Sequence, residues 1–379
     1  MDCVTLEMII DYVIPFLVVL TILVFVHEMG HFLVARYNNV RVEVFSIGFG
    51  KELFGFNDTH GTRWKFGAIP LGGYVKMFGE GESVDDGEEE RQLTDEEKAV
   101  SFHHKRLGQR AAIVFAGPLA NFVFAVVVLS GLYYVSGAPN PLAAIGTVQA
   151  SSAAEKAGIN AGDRVIMIAG QEVKWFEDLR QIVMANPGVP LSMEILRGDT
   201  QMTLVATPNA HVIQENGLEK EIGLLGVTPN PEMIEFEKSD FFGSVVMGSE
   251  KTYALTVNIL SSVGMMITGA VSREDLGGPL RIAQISGQMA QGGMANLVFF
   301  LAALSINLGL INLFPIPMLD GGHLLFYFFE AIIGRPINEK AQEYSFRFGL
   351  ILVLLLMVFV TWNDIIQLKV FEYLKNLVS

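Results

Sequence analysis

The sequence predicts a polytopic α-helical membrane protein with four transmembrane helices and a small α+β domain inserted outside the membrane. Three features point there. Of the 379 residues, 51% are hydrophobic and only 17% charged, with a mean hydropathy of +0.42, far from the balance of a soluble globular protein. Four runs with few or no charges, 12–35, 111–136, 295–319 and 348–363, reach or approach the roughly 20 residues a helix needs to cross a bilayer. Between the second and third, residues 143–208 change to short β-type stretches punctuated by glycine.

The first run is read as a mature span, because a removable signal peptide needs a positive start. Here the first Lys or Arg is Arg36, and Asp2, Glu7 and Asp11 precede it. Arg36, Arg41, Lys105, Arg106 and Arg110 flank the loop between spans one and two, whereas no Lys or Arg follows span two until Lys156. By the positive-inside rule the 37–110 loop is therefore cytoplasmic and the 137–294 region external. Arg335, Lys340 and Arg347 put the loop between the last two spans inside again, so both termini are external. A fifth uncharged run, 252–272, carries Thr252, Thr256, Asn258, Ser261, Ser262, Thr268 and Ser272 and reads as an interfacial helix. Net charge is −14, but ten acidic residues crowd between Glu80 and Glu97, which reads as a solvated loop. Nucleic-acid binding finds no support, and the single cysteine, Cys3, excludes an internal disulfide.

Within 143–208 the pattern gives strands at 145–149, 164–168 and 171–173, helices near 152–157 and 175–185, and a closing hairpin over 191–206. The order of these elements and the stretch AGINAGDRVIMIAG, with Gly158, Gly162, Asp163 and Gly170, resemble a PDZ domain. That resemblance implies a groove, with Gly158, Gly162 and Asp163 as candidates for it, that captures a peptide or chain end by strand addition.

In the first span, His27-Glu28-Met29-Gly30-His31 fits H-E-x-x-H. Residues i and i+4 of a helix lie only about 40° apart around its axis, so both imidazoles can face one metal ion. Glu28 is then placed to take a proton from water activated there, the general-base role of metallopeptidases. Three ionisable groups in an apolar helix each cost about 2.5 kcal/mol or more unless they have such a purpose. Catalytic zinc commonly takes three protein ligands. The region from Arg281 to Asp320 is otherwise free of charge, so Asp320 is the expected third ligand, with His323 the competitor. Span one runs inward, and Asp320 reaches the depth of His27 and His31 only if its run does too, which requires four spans and not five.

H-E-x-x-H, FSIGFG at 45–50, IPLGGYVKM at 69–77, AGPLANF at 116–122 and NLFPIPMLDGG at 312–322, together with an external PDZ domain, resemble the site-2 proteases, in particular the bacterial regulator-of-sigma-E protease branch. The resemblance implies intramembrane zinc proteolysis with ligands at His27, His31 and Asp320, the base at Glu28, and a bacterial inner-membrane location. Expected substrates are single-span membrane proteins, either anchored regulators or remnant signal peptides. Well-known members of that branch carry tandem PDZ domains, for which the stretch from 209 to the hydrophobic helix near 241 leaves no room. Residues 63–78 read as a hairpin around Pro-Leu-Gly-Gly; the resemblance implies that it dips into the membrane, and its edge is a candidate template for an unwound substrate. Candidate substrate-binding residues are Asn307, as the resemblance implies, with Asn312, Pro315, Gly72, Gly73 and Tyr74. Asn121, Asn307 and Asn312 could equally make inter-helix hydrogen bonds.

The expected domains are 1–136 (two spans and the hairpin), 143–208 (PDZ), 209–294 (external linker with interfacial helices) and 295–379 (two spans with the LDG motif). Two other functions fit fewer residues. A PDZ adaptor with a structural metal would want a fourth protein ligand, and the only cysteine is Cys3. A metal-ion or proton transporter would be expected to show an internal repeat, and none relates the halves.

Overall fold

The structure, a computed structural model, describes residues 9–79, 93–215, 218–268 and 277–367. Cys3, the acidic residues Glu80 to Glu90, and Ser272 lie outside the described residues. Two compact units result, Met1–Leu132 with Phe241–Ser379, and Tyr133–Asp240.

The first unit opens with a π-helical turn (Ile9–Val13) and helix α1 (Ile14–Tyr37), whose Pro15 falls where the first N–H groups lack helical partners anyway. Strands β1 (Val42–Asn57) and β2 (Arg63–Met77) follow. Their register departs from a simple hairpin. Val44–Ile47 are partnered on one side by Lys76–Gly73 and on the other by Arg63–Phe66, while Glu52–Asn57 pair with Gly67–Arg63. The two halves of 63–78 therefore do not pair with each other around Pro-Leu-Gly-Gly; both pair with the first half of β1, which lies between them. Phe45 and Trp64 stack at 4.4 Å between ring centroids, and Phe32 of α1 meets both edge-on. The turn after β1 is tied to the end of α1 by Asp58, which accepts hydrogen bonds from the His60 and Thr62 N–H groups, Trp64 Nε1 and Arg36. Helix α2 (Asp95–Val100), capped by Thr94, leads into α3 (Leu107–Ser136).

The second unit contains β3 (Ala138–Pro141), β4 (Ile145–Val148), α4 (Ala153–Ala157), β5 (Arg164–Ile168), β6 (Gln171–Glu172), α5 (Phe176–Met184), β7 (Leu191–Arg197), β8 (Thr200–Ala206), β9 (Asn209–Glu215), β10 (Leu218–Leu224), β11 (Val227–Pro229) and β12 (Ile234–Glu237). The expected elements of 143–208 are all present, to within a residue or two at their ends. A four-stranded sheet in the order β6-β5-β7-β8 closes over Ile145, Val165, Ile168, Leu179, Met193 and Ile195. The expected boundary at 208 is too early, however. β11 pairs with β4, β12 pairs with β3, and Leu225 is part of the same core, so most of 209–240 belongs to this unit and not to a linker.

Back in the first unit, α6 (Phe241–Ile267) is followed by α7 (Pro279–Gln291), α8 (Met294–Leu313), α9 (Asp320–Ile333) and α10 (Glu339–Gln367). Four described helices, Ile10–Tyr37, Leu107–Ser136, Met294–Leu313 and Lys340–Gln367, are long and apolar enough to cross a membrane. α6 is not among them, which agrees with a count of four. The third span ends at Leu313 and not at 319: Pro315 biases Phe314 to extended backbone, φ −63° and ψ 143°, and α9 starts afresh at Asp320. At the far end of α10, fully buried Asp364 accepts hydrogen bonds from the N–H groups of Gly278, Leu280 and Arg281 and so caps the start of α7, where a carboxylate suits the helix dipole.

Burial alone would raise the Asp58 pKa, but hydrogen bonds from Trp64, Thr62, His60 and Arg36 outweigh it and lower it to about 2. A carboxylate held below its ordinary value of about 3.9 stabilises the fold above that value and loses the contribution as pH falls through the folded one. Asp58→Asn is expected to cost about 1–2 kcal/mol at pH 7, with the gap to the parent closing between about pH 4 and pH 2 in detergent melts. A gap that persists unchanged at pH 2 would assign the loss to packing instead.

Candidate metal centre

Helix α1 presents His27, Glu28 and His31, and α3 is built to receive them. Gly30 lies flat on α3: a Cβ there would stand 2.2 Å from the Ala116 carbonyl oxygen and 2.8 Å from Ala120 Cβ. Gly117 opens room for both rings, since its Cβ would fall 2.2 Å from His31 Nε2 and 2.9 Å from His27 Cε1. The residue after it, Pro118, interrupts the helix ladder because it has no N–H. In the same turns, the Ile113 carbonyl takes His31 Nδ1 at 2.8 Å and the Asn121 side chain meets His27 Nδ1 at 3.0 Å. With their Nδ1 atoms so engaged, both rings turn Nε2 to the same point.

Asp320 completes that point from the first turn of α9. The approach is tight: Met318 takes φ +86°, a left-handed value that costs a non-glycine residue on the order of 1–3 kcal/mol, and a Cβ on Gly321 would stand 2.2 Å from the Phe314 carbonyl oxygen. Farther along α9, Glu330 binds Arg110 at 2.5 Å, both largely buried, and anchors the helix to the start of α3. Asp320 Oδ2 lies 3.2 Å from His27 Nε2 and 3.6 Å from His31 Nε2, and the two Nε2 atoms are 3.3 Å apart. Those separations match the edges of a tetrahedron, about 3.3–3.6 Å when ligands stand about 2.0–2.2 Å from a zinc ion. Asp320 Oδ2 is buried with no hydrogen-bond partner of its own, as suits an oxygen kept for a cation. The donor set of two imidazoles and a carboxylate is one that zinc accepts.

Glu28 lies beside this triangle. Its carboxylate accepts a hydrogen bond from the Val75 N–H of β2, and it is close enough to feel the charges of His31, His27 and Asp320. Gly73 packs on the same side chain, with a Cβ placed only 3.4 Å from Glu28 Cγ and 2.8 Å from Val24.

The other expected residues separate. His323 packs its ring on Phe346 of α10, 4.9 Å between centroids, away from the three donors. Asn312 Nδ2 reaches His27 Nε2 at 3.4 Å. Asn307 is half-buried on α8, and five residues before Asn312 it lies about 140° around the helix. Pro315 is exposed. Gly72 and Tyr74 lie against the Phe49 ring. In the second unit, Gly158 and Gly162 occupy left-handed turn positions, and Asp163, 1% exposed, is engaged by Arg197 at 2.7 Å and the Asn160 N–H at 2.8 Å. Asp163 thus holds a turn and does not line a groove. Sequence reasoning missed Gly117, the Ile113 carbonyl and the partner of Asn121. The signal available was the Gly-Pro pair that opens α3 beside a span known to carry ionisable groups.

The profile of Peptidase family M50 matches residues 15–356. A protein of Agrobacterium fabrum whose name includes the words zinc metalloprotease is 42% identical over 94% of this chain and 96% of its own. The regulator of sigma-E protease of Salmonella typhimurium is 34% identical over 93% of this chain and 98% of its own. That alignment runs over 452 positions, more than the 379 residues here, so the relative carries inserted sequence. Among solved structures, the PDZ domain of an SdrC-like protein from Listeria monocytogenes covers 24% of this chain and 87% of its own, with 17% identity and a TM-score of 0.19.

Gly117→Ala is expected to abolish metal retention, because the added methyl would fall on the imidazoles. Gly131→Ala on the same helix, where a Cβ meets nothing within 4 Å, should leave metal content at the parent level. Zinc quantified per purified chain checks both.

Proposed function

The chain belongs to peptidase family M50, and on that premise we propose that His27, His31 and Asp320 hold its metal and that Glu28 is its general base. The protein is an intramembrane zinc metalloprotease. The observation that carries the residue assignment is the triangle of His27 Nε2, His31 Nε2 and Asp320 Oδ2, with separations of 3.2–3.6 Å.

Zinc, when bound, supplies a Lewis acid that polarises the scissile carbonyl and makes water a nucleophile near neutral pH. The chain's own groups do the rest. Glu28 takes the proton from the attacking water and returns it to the leaving amine. The Val75 N–H holds the Glu28 carboxylate on the side of the triangle next to β2. Asn312 Nδ2, 3.4 Å from His27 Nε2, is positioned to donate to a peptide oxygen at the same centre.

The substrate class is a single-span membrane protein, an anchored regulator or a remnant signal peptide. A scissile carbonyl inside a helix is already hydrogen-bonded, so the segment must unwind and find new partners. The Gly73–Val75 stretch of β2 lies beside Glu28, and an extended segment laid along the sheet there would run past the proposed base. The sheet around it exposes Leu53, Phe54, Phe56, Ile69 and Leu71, a set of side chains suited to the bilayer and so to a membrane-dipping position. The charge pattern supports a cytoplasmic 37–110 loop, external termini and an external PDZ-type second unit. That unit serves as a gate that excludes long ectodomains by bulk.

Glu28→Gln should slow cleavage of a tagged model substrate by roughly a hundredfold or more while zinc content stays normal. His27→Ala, His31→Ala and Asp320→Ala should lose both. Zinc retained at one per chain in Asp320→Ala would move the third ligand elsewhere.

Replacing residues 138–237, the whole set of paired strands, with a short Gly/Ser bridge should leave the zinc site intact and speed cutting of a substrate with a long ectodomain. Slower cutting of a truncated substrate through a raised KM, with no gain on the long one, would make the unit a recruiter.

A further inference from the structure

We propose that Asn121 is a positioning residue for the metal centre: its side-chain oxygen accepts the Nδ1 proton of His27 and so fixes the tautomer in which Nε2 is free to bind the metal. The inference rests on the metal assignment above.

Asn121 is fully buried in α3. Its backbone is held by Ser305 of α8, whose hydroxyl donates to the Asn121 carbonyl at 2.9 Å. Its side chain has one short polar neighbour, His27 Nδ1 at 3.0 Å from Nδ2, and its Oδ1 is buried without any hydrogen-bond partner. These two facts conflict with the rest of the site in an informative way. His27 turns Nε2 toward Asp320 and His31. An imidazole that offers Nε2 as a ligand atom must carry its proton on Nδ1, and Nδ1 is then a donor. An amide NH2 facing it would set donor against donor, while an acceptor a bond away is left unsatisfied in a low-dielectric interior, at a cost of about 1–3 kcal/mol.

A half-turn of the amide about its terminal bond resolves both faults. Oδ1 then takes the place of Nδ2 beside Nδ1–H. The two ends of an amide are nearly equal in size, so the turn needs no change in packing. His31 already has the matching arrangement, since the Ile113 carbonyl beside its Nδ1 at 2.8 Å can only accept. Both tautomers are thus set from α3, one by a backbone carbonyl and one by a side-chain amide. Ligating histidines characteristically donate their second N–H to such an oxygen, and loss of that partner typically costs 10–100-fold in metal affinity.

The test compares zinc dissociation constants, by chelator competition, for the full-length parent, Asn121→Leu and Asn121→Asp in detergent, with cobalt(II) absorption as a check on ligand geometry. Asn121→Leu keeps the volume and removes the acceptor, and is expected to bind zinc about 10–100-fold more weakly. Asn121→Asp keeps an acceptor at the same reach and is expected to stay within a few-fold of the parent or bind more tightly, with a parent-like cobalt spectrum. Parent affinity in Asn121→Leu, or equal weakening in both variants, would overturn the proposal, the second outcome showing that the residue matters only for packing. If Asn121→Leu does not accumulate, Asn121→Val against Asn121→Asp makes the same comparison. A parent that binds no zinc would overturn the metal assignment and this inference with it, whereas a parent that binds zinc and a leucine variant that matches it would overturn this inference alone.

Discussion

Everything in the first unit is arranged around the cost of keeping two imidazoles and a carboxylate in an apolar helix bundle. Such groups are tolerated at depth only when every polar atom has a partner. The Nδ1 atoms face theirs on α3, while the Nε2 atoms converge with Asp320 Oδ2 on the proposed metal position. Meeting that demand requires the helices to approach more closely than ordinary side chains permit. Gly30 on α1 and Gly117 on α3 provide the approach: at each, a Cβ would overlap the opposing helix or the rings themselves. Pro118, next to Gly117, removes one N–H from the α3 ladder at the same level.

The same demand explains why the third span stops early. If α8 ran through to residue 319, Asp320 would continue its helical path, and the direction of its side chain would be dictated by that axis. Breaking the helix at Pro315 and restarting it at Asp320 frees the carboxylate to meet α1. The restart is expensive, with Met318 in a left-handed conformation and two glycines packed on the carbonyls of the turn. It is offset by anchorage farther along, where Glu330 binds Arg110 and where Phe326 and His323 pack on Phe346. α10 is held at one end by this packing and at the other by Asp364, while most of its middle faces outward.

Much of this was legible in the sequence, for reasons that differ from one feature to the next. The four spans follow from charge-free length, which needs no tertiary information. His27, Glu28 and His31 follow from helical spacing and Asp320 from being the lone carboxylate in a long uncharged run; the structure brings the two histidines and Asp320 within one ligand sphere. What could not be read depended on contacts between distant segments. The extent of the second unit is one case: β11 and β12 pair with β4 and β3 from the other end of the domain, and strand pairing across about 80 to 100 residues leaves no local trace. The doubled pairing of Val44–Ile47 is another, because the alternation in 63–78 is the same whether its halves pair with each other or with a third segment. Asp163 shows the converse error, a glycine-flanked carboxylate that looked functional and instead binds Arg197.

That doubled pairing also bears on the membrane-dipping position proposed for the β-structure. Backbone N–H and C=O groups cannot be left bare in hydrocarbon, so a two-stranded hairpin with two open edges would be a poor element there. Threading the first half of β1 between both halves of β2 gives Val44–Ile47 strand partners on both sides. The Gly73–Val75 stretch packs against α1, with Gly73 on Val24 and Glu28 and the Val75 N–H on the Glu28 carboxylate. A substrate strand laid along the sheet beside Gly73–Val75 would pass within reach of Glu28, so unwinding and presentation to the proposed metal centre would be a single event.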